Sequence, residues 1–282
     1  MPNIQLEAFG ELFGGGNSKS RFSEKNYACP FDSRVDKCDK PNRSSIRYGS
    51  CSAQYGQNKR IICPRRFYED NYKILKQVKN FIWNTDDTKI ECYNEFRITS
   101  VSEDDSFYFG NLDWLLVNSE NNNDFCGVEI QTDATTNTGE FKKAITDLLN
   151  NELKESYAFG LNTLASFKGF LPQFIFKGQL FDDWKRPYCA VMQDELWREF
   201  IKKFRIRYKE INTYTTETFM FFIYSLELAD NKYTLGKPTI YATRWIDMLL
   251  SFSVKNELLI DLNDISEKIR TKMSRSSPII TL

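Results

Sequence analysis

Two carboxylates stand out by type and spacing: Asp113 and Glu129, in the run FGNLDWLLVNSENNNDFCGVEIQTD over positions 109–133. If Val117 and Phe125 close a hairpin around the Asn-rich stretch, paired positions sum to 242 and Asp113 faces Glu129. Directly opposed residues on paired strands hold their Cβ atoms ~4.5–5.5 Å apart. Two carboxylates so placed repel each other unless a cation sits between them. A hard, oxygen-seeking ion such as Mg²⁺ would do so, with the Ile130 carbonyl as a further ligand, and could activate water against a phosphodiester. Period-2 alternation puts Gln131 on the face of Glu129 and sends Leu112, Trp114, Leu116, Val128 and Ile130 to the opposite, buried face. The Gln131 amide can orient water but carries no charge. A cation would then have to come from the metal, or from Lys142 or Lys143 on the following helix. Glu95, in ECYNEFRI, is a possible additional acid. The alternative is a solvated polar face on an edge hairpin, with both acids merely exposed.

The chain has no histidine. That removes His-dependent triads, His-ligated nucleases and zinc proteases of the H-E-x-x-H type, and leaves acid–base work to carboxylates, Lys, Tyr or Cys. The seven cysteines divide into two groups. Cys92, Cys126 and Cys189 lie in apolar strand-like runs and read as small buried hydrophobes. Cys29, Cys38, Cys51 and Cys63, spaced C-x8-C-x12-C-x11-C, lie in a Gly/Pro/Ser-rich segment without periodic apolar residues. A coreless segment needs a staple, and four thiolates around one structural Fe or Zn ion would supply it, although the C-x-x-C knuckles usual in such sites are missing.

The elements that must hold these residues follow from composition and periodicity. With 282 residues and 41% hydrophobic content, the chain can bury one sizeable core. Net charge is zero, yet residues 19–66 hold twelve Lys/Arg against four Asp/Glu, a surplus of eight positive charges, and residues 67–282 hold 26 against 32, a deficit of six. A basic module (1–66) on an acidic body (67–282) suits a polyanion, although a small metal-bound loop is also simply polar. The longest apolar uncharged stretch, Thr218 to Leu226, is far short of the ~20 residues that span a bilayer. The N-terminal residues MPNIQLEAFGELF carry acids where an export signal has a basic region, so a cytoplasmic protein is expected.

Apolar spacing predicts a helix over 69–83, strands over 89–102, 106–117 and 125–132, and a helix over 141–149 capped by Asn137 or Thr138. Further strands are expected over 171–180 and 188–192, a helix from Asp194, a strand over 218–226, and helices near 245–252 and 264–273. This order implies a mixed α/β layer architecture.

Asp, then Glu-x-polar on the next strand, then a helix is the layout of the PD-(D/E)xK nuclease core. That hairpin, with LDW at 112–114 and GVEIQT at 127–132, and the cysteine segment, with CPF at 29–31, Cys38, GSC at 49–51 and CPRR at 63–66, together resemble the NotI-like family of type II restriction endonucleases. The likeness continues more loosely through FKKAI, FKGFLPQFIFKG and AVMQDELW to about residue 204. The resemblance implies a PD-(D/E)xK fold, a four-cysteine iron or zinc site, Mg²⁺-dependent cleavage of duplex DNA at a GC-rich palindrome, and a homodimer; Gln131 in place of the usual lysine fits it. A prokaryotic cytoplasm and a cognate DNA methyltransferase are expected with it. In this reading Asp113 and Glu129 hold the metal, Gln131 positions water, and Glu95 assists. Arg65, Arg66, Lys185 and Arg186 are candidate phosphate or guanine contacts, with solvated surface the alternative for each. The rivals are a DNA-binding protein of the same fold without chemistry, and a structure-specific repair nuclease indifferent to base sequence.

Overall fold

The computed structural model describes residues 29–36, 38, 50–55, 58–84, 88–101, 106–152, 154, 157–215, 217–229, 232–252 and 262–275. Among the described residues the first elements are a short hairpin, β1 (Ser52–Tyr55) and β2 (Asn58–Ile61), then helix α1 (Glu69–Trp83). Asp70, Asn71 and Tyr72 are left-handed, so the regular turns of α1 follow them. Three long strands come next, β3 (Ile90–Val101), β4 (Ser106–Asn118) and β5 (Asn121–Gln131). After β6 (Thr135–Thr136) come α2 (Thr138–Asn150), β7 (Gly160–Leu161), α3 (Thr163–Asp183), β8 (Tyr188–Gln193) and α4 (Asp194–Phe204). The remainder is β9 (Lys209–Glu210), β10 (Phe219–Tyr224), β11 (Leu226–Ala229), β12 (Lys232–Leu235), β13 (Thr239–Thr243), α5 (Trp245–Ser251) and α6 (Leu262–Arg275).

One seven-stranded mixed sheet organises these elements, in the order β3-β4-β5-β8-β10-β13-β9. β3, β4 and β5 form an antiparallel meander, β5, β8 and β10 run parallel, and β13 returns antiparallel. Parallel strands need crossovers, and α2 with α3, then α4, supply them. Every residue of β8 and β10 is buried, as expected for strands covered on both faces. On one face Ile74, Val78 and Ile82 of α1 pack on Trp114, Leu116, Val128 and Ile130. On the other, Phe167, Phe170, Phe174 and Phe181 of α3 pack with Leu115, Tyr188 and Phe219. No helix among the described residues is long and apolar enough to cross a membrane.

The predicted strand over 171–180 is instead the middle of the 21-residue helix α3. The run LPQFIFKGQL is apolar enough for a buried strand, but its Phe174 belongs to a buried stripe with Phe167, Phe170 and Phe181, the spacing of one helical face, while Phe176 is exposed. Asn162 caps the helix by accepting from the Ala165 amide (3.1 Å), and Pro172 lies on the exposed side. The strands β1, β2, β6, β7, β9 and β11 to β13 have no counterpart in the sequence expectation; most are too short to show a period.

The described part of the cysteine segment is not coreless. Phe31, Cys51 and Ile61 join the core on the α1 face. The Ile61 amide donates to Gln193 Oε1 (2.8 Å), and the Gln193 side chain donates to the Lys59 carbonyl (2.7 Å), which docks β2 on the end of β8. Arg60, 5% exposed, pairs with the buried Asp133 just past β5 (3.3 Å).

Candidate active site

The predicted hairpin register is present: Val117 pairs with Phe125, Leu116 with Cys126, Leu115 with Gly127 and Trp114 with Val128. Asp113 and Glu129 follow next along the two strands. The Ile130 amide donates to Asp113 Oδ2 (2.6 Å) and holds that carboxylate against β5. The alternation of β4 breaks at this point, because Leu112, expected beside Trp114, packs with Leu115 on the α3 face. Across from the break on β3 lies Glu95, exposed and left-handed (φ 52°), between the pairs Asn94 with Trp114 and Phe96 with Leu112.

Glu129 is not on a solvated face. It is 1% exposed, flanked along β5 by Val128 and Ile130 of the α1-side core, and therefore turned toward α3. There it meets Lys177, which is 2% exposed and donates to Glu129, to the Asn111 carbonyl and to Gln173 Oε1 (3.0 Å). The sequence leaves the charge either to the metal or to Lys142 or Lys143 on the helix after β5. Lys142 and Lys143 are on α2, half-buried and exposed, and the ammonium at Glu129 comes from α3. Its signal was a lysine inside an apolar stripe, three residues after Phe174 and four before Phe181, legible only once the segment is read as a helix. Gly110, with φ +109°, leaves room for it: a Cβ there would come within 3.2 Å of Lys177 Cε.

Burial disfavours charge on Glu129, the Asp113 carboxylate adds repulsion, and the carboxyl is pushed up to about 8 even though Lys177 opposes both. Burial also raises Asp113 above the usual carboxylate range. The Tyr188 hydroxyl is fully buried beside Glu129 without a hydrogen bond of normal geometry. Ionising both carboxylates would set two negative charges against one ammonium before Glu95 is counted, and the raised Glu129 carboxyl holds a proton in place of that excess. The donors are hard oxygens, so this pair fits a divalent cation such as Mg²⁺. Gln131 is half-buried at the end of β5, in register with Met192 of β8.

Near this pair the cysteine segment is fastened by Asp32. Its fully buried carboxylate accepts two side-chain bonds from Arg34 (2.9 Å each) and one from the Tyr72 hydroxyl (2.6 Å), with Arg65 Nε at 3.3 Å. The Arg34 guanidinium in turn lies 5.0 Å from the ring centre of Trp114, the neighbour of Asp113. Cys29 and Cys63 are close enough for their charges to interact, and the Cys63 amide donates to the Cys51 carbonyl (3.2 Å). Cys38 is half-buried, and residues 39–49 between Cys38 and Cys51 lie outside the described residues. Among the described residues no three Cys, His, Asp or Glu side chains converge as a metal-holding group.

The other expected residues separate by burial. Arg66 is fully buried, paired with Glu69, donating to the Tyr233 carbonyl (2.7 Å) and stacked on Phe31. That inward placement is not one for a phosphate or guanine contact. Lys185 is exposed beside Asp182, and Arg186 donates to the Asn123 carbonyl at the β4–β5 turn. Cys126 and Cys189 are buried with their sulfurs 3.5 Å apart, whereas Cys92, expected inside, is exposed on the edge strand β3.

The family model described as restriction endonuclease NotI matches residues 16–235, a span that includes the four cysteines, the hairpin and α3. No curated protein matches the chain.

Proposed function

Because the chain belongs to the NotI restriction endonuclease family, whose model matches well over half of it, we propose that it is a type II restriction endonuclease of PD-(D/E)xK architecture. It cleaves both strands of a GC-rich palindromic site and requires Mg²⁺. The observation that carries this reading is the pair of half-buried Asp113 and buried Glu129, held side by side by the Ile130 amide and Lys177 so that ionising both would leave more negative charge than Lys177 balances.

Asp113 and Glu129 would hold the metal. When bound, Mg²⁺ polarises the scissile phosphate and lowers the pKa of a water. The Ile130 amide fixes the Asp113 carboxylate, and Lys177 fixes that of Glu129, so neither has to reorganise as DNA arrives. Gln131, two residues along β5, orients the attacking water through its amide, and Glu95 lies close enough for its charge to act on Asp113. Cys29, Cys38, Cys51 and Cys63 hold one structural iron or zinc ion, which thiolate ligands suit. A homodimer presents two such sites to the two strands of a palindrome, and a cognate methyltransferase protects the host. Arg65, Lys185 and Arg186 remain candidate DNA contacts.

The test is to incubate the protein and Mg²⁺ with a sequenced plasmid and to map the ends. Cuts at one palindrome support the reading, cuts without sequence preference favour a structure-specific nuclease, and specific binding without cuts favours a silent DNA-binding protein.

A further inference from the structure

The site described above has a neutral residue where PD-(D/E)xK nucleases usually carry a strand lysine, yet an ammonium is present. Lys177 reaches Glu129 from α3, on the buried face shared with Phe170, Phe174 and Phe181. A lone lysine in an apolar stripe is costly unless it is paired, and this one has three acceptors: Glu129, the Asn111 carbonyl and Gln173 Oε1. Two of them, Asn111 on β4 and Glu129 on β5, lie on the two strands that carry the carboxylate pair. The wall at Gly110 is open enough for the Lys177 stem. An interior built around one ammonium in this way fixes where the charge sits.

We propose that Lys177 is a positioning residue for the reaction: it supplies from helix α3 the positive charge that position 131 lacks, and through it sets the Glu129 carboxylate. The inference rests on the nuclease reading above. It makes Lys177 more than a structural ion pair, because its charge offsets that of the carboxylates and so weakens the attraction of the site for a divalent cation while it orders a ligand.

Lys177→Gln separates these roles, since the amide can still donate to Asn111 while the charge is lost. The full-length protein is first checked by its melting curve and then titrated calorimetrically with Mg²⁺ alone. The folded variant is expected to bind Mg²⁺ about 10-fold more tightly, because the local charge becomes more negative. Plasmid cleavage at saturating Mg²⁺ is expected to slow by about 100-fold. Adding Gln131→Lys returns the charge from the strand, and the double variant is expected to recover cleavage to within about 10-fold of the parent. If Lys177→Gln does not fold, the double variant decides alone: folded and active supports the assignment, folded and inactive overturns it. Parental cleavage and unchanged Mg²⁺ affinity in Lys177→Gln also overturn it. Asp113→Ala, run alongside, keeps the two claims apart. If Asp113→Ala is inactive while Lys177→Gln is parental, only the lysine assignment falls, whereas if Asp113→Ala cleaves normally the active-site reading falls with it.

Discussion

Lys177 on α3 and Glu129 on β5 form an ion pair in which each side chain is 2% exposed, and it ties the helix on one face of the sheet to the hairpin that carries Asp113. A buried pair of this kind gives little net stability, because desolvation offsets its Coulombic attraction. Removing one partner is far more costly than never having had the pair. Its place at the carboxylate pair therefore points to geometry and charge in the site.

The first expectation concerns chemistry. Asp113→Ala and Glu129→Ala should each lower plasmid cleavage by at least about 1,000-fold, the ratio that several kcal/mol of lost transition-state stabilisation gives. In Asp113→Ala specific DNA binding, followed by mobility shift in Ca²⁺, should persist or strengthen, since one negative charge near phosphate is gone, whereas Glu129→Ala should also melt lower because it leaves Lys177 buried without its carboxylate. Loss of binding together with cleavage would place these acids in DNA recognition or folding.

Arg66 gives a test of the opposite kind. Arg66→Ala leaves Glu69 buried and unpaired and strips a donor from the Tyr233 carbonyl. It should cost about 3–5 kcal/mol in urea unfolding. The folded fraction at low temperature should bind DNA with an unaltered salt dependence. A shallower salt slope with normal stability would return Arg66 to the DNA-contact surface.

The hairpin was the most legible part of the site. Its register follows from closing the Asn-rich stretch with Val117 opposite Phe125, and its buried face from the alternation of Trp114, Leu116, Val128 and Ile130, both local properties. What lay beyond local pattern was which face would be covered. Periodicity gave Glu129 a face opposite Val128, but only the packing of α3 shows that this face is dry. The strand expected over 171–180 hides both the helix and Lys177, because short apolar runs fit either period. By composition alone the cysteine segment is coreless. Phe31, Cys51 and Ile61 bury themselves against the body, a non-local contact that no window over the segment reveals.

Asp32 supplies a pH-dependent prediction. Burial alone would raise its carboxyl, but bonds from Arg34 and Tyr72 outweigh that and hold it far below its ordinary value of 3.8. A carboxyl depressed in the folded state contributes stability above its unfolded pKa and loses it as pH falls. Asp32→Asn should therefore melt below the parent at pH 7, and the gap should close progressively as pH is lowered past about 4. A gap that stays constant down to pH 3 would mean that the Asp32 charge contributes nothing.

The cysteine segment predicts about one iron or zinc per chain by elemental analysis. Cys38→Ser, at a half-buried position outside the core, should lose the metal and lower the melting temperature. Unchanged metal content in that variant, or neither metal in the parent, would remove the thiolate site.

The most direct test of the central claim is end-mapping of a sequenced plasmid after incubation with Mg²⁺, the parent protein beside Asp113→Ala in preparations shown free of host nuclease. The prediction is double-strand breaks at a single palindromic sequence with the parent, none with EDTA, and none with Asp113→Ala. Equal, Mg²⁺-dependent cutting by the two proteins would contradict it and remove the Asp113–Glu129 hairpin as the active site.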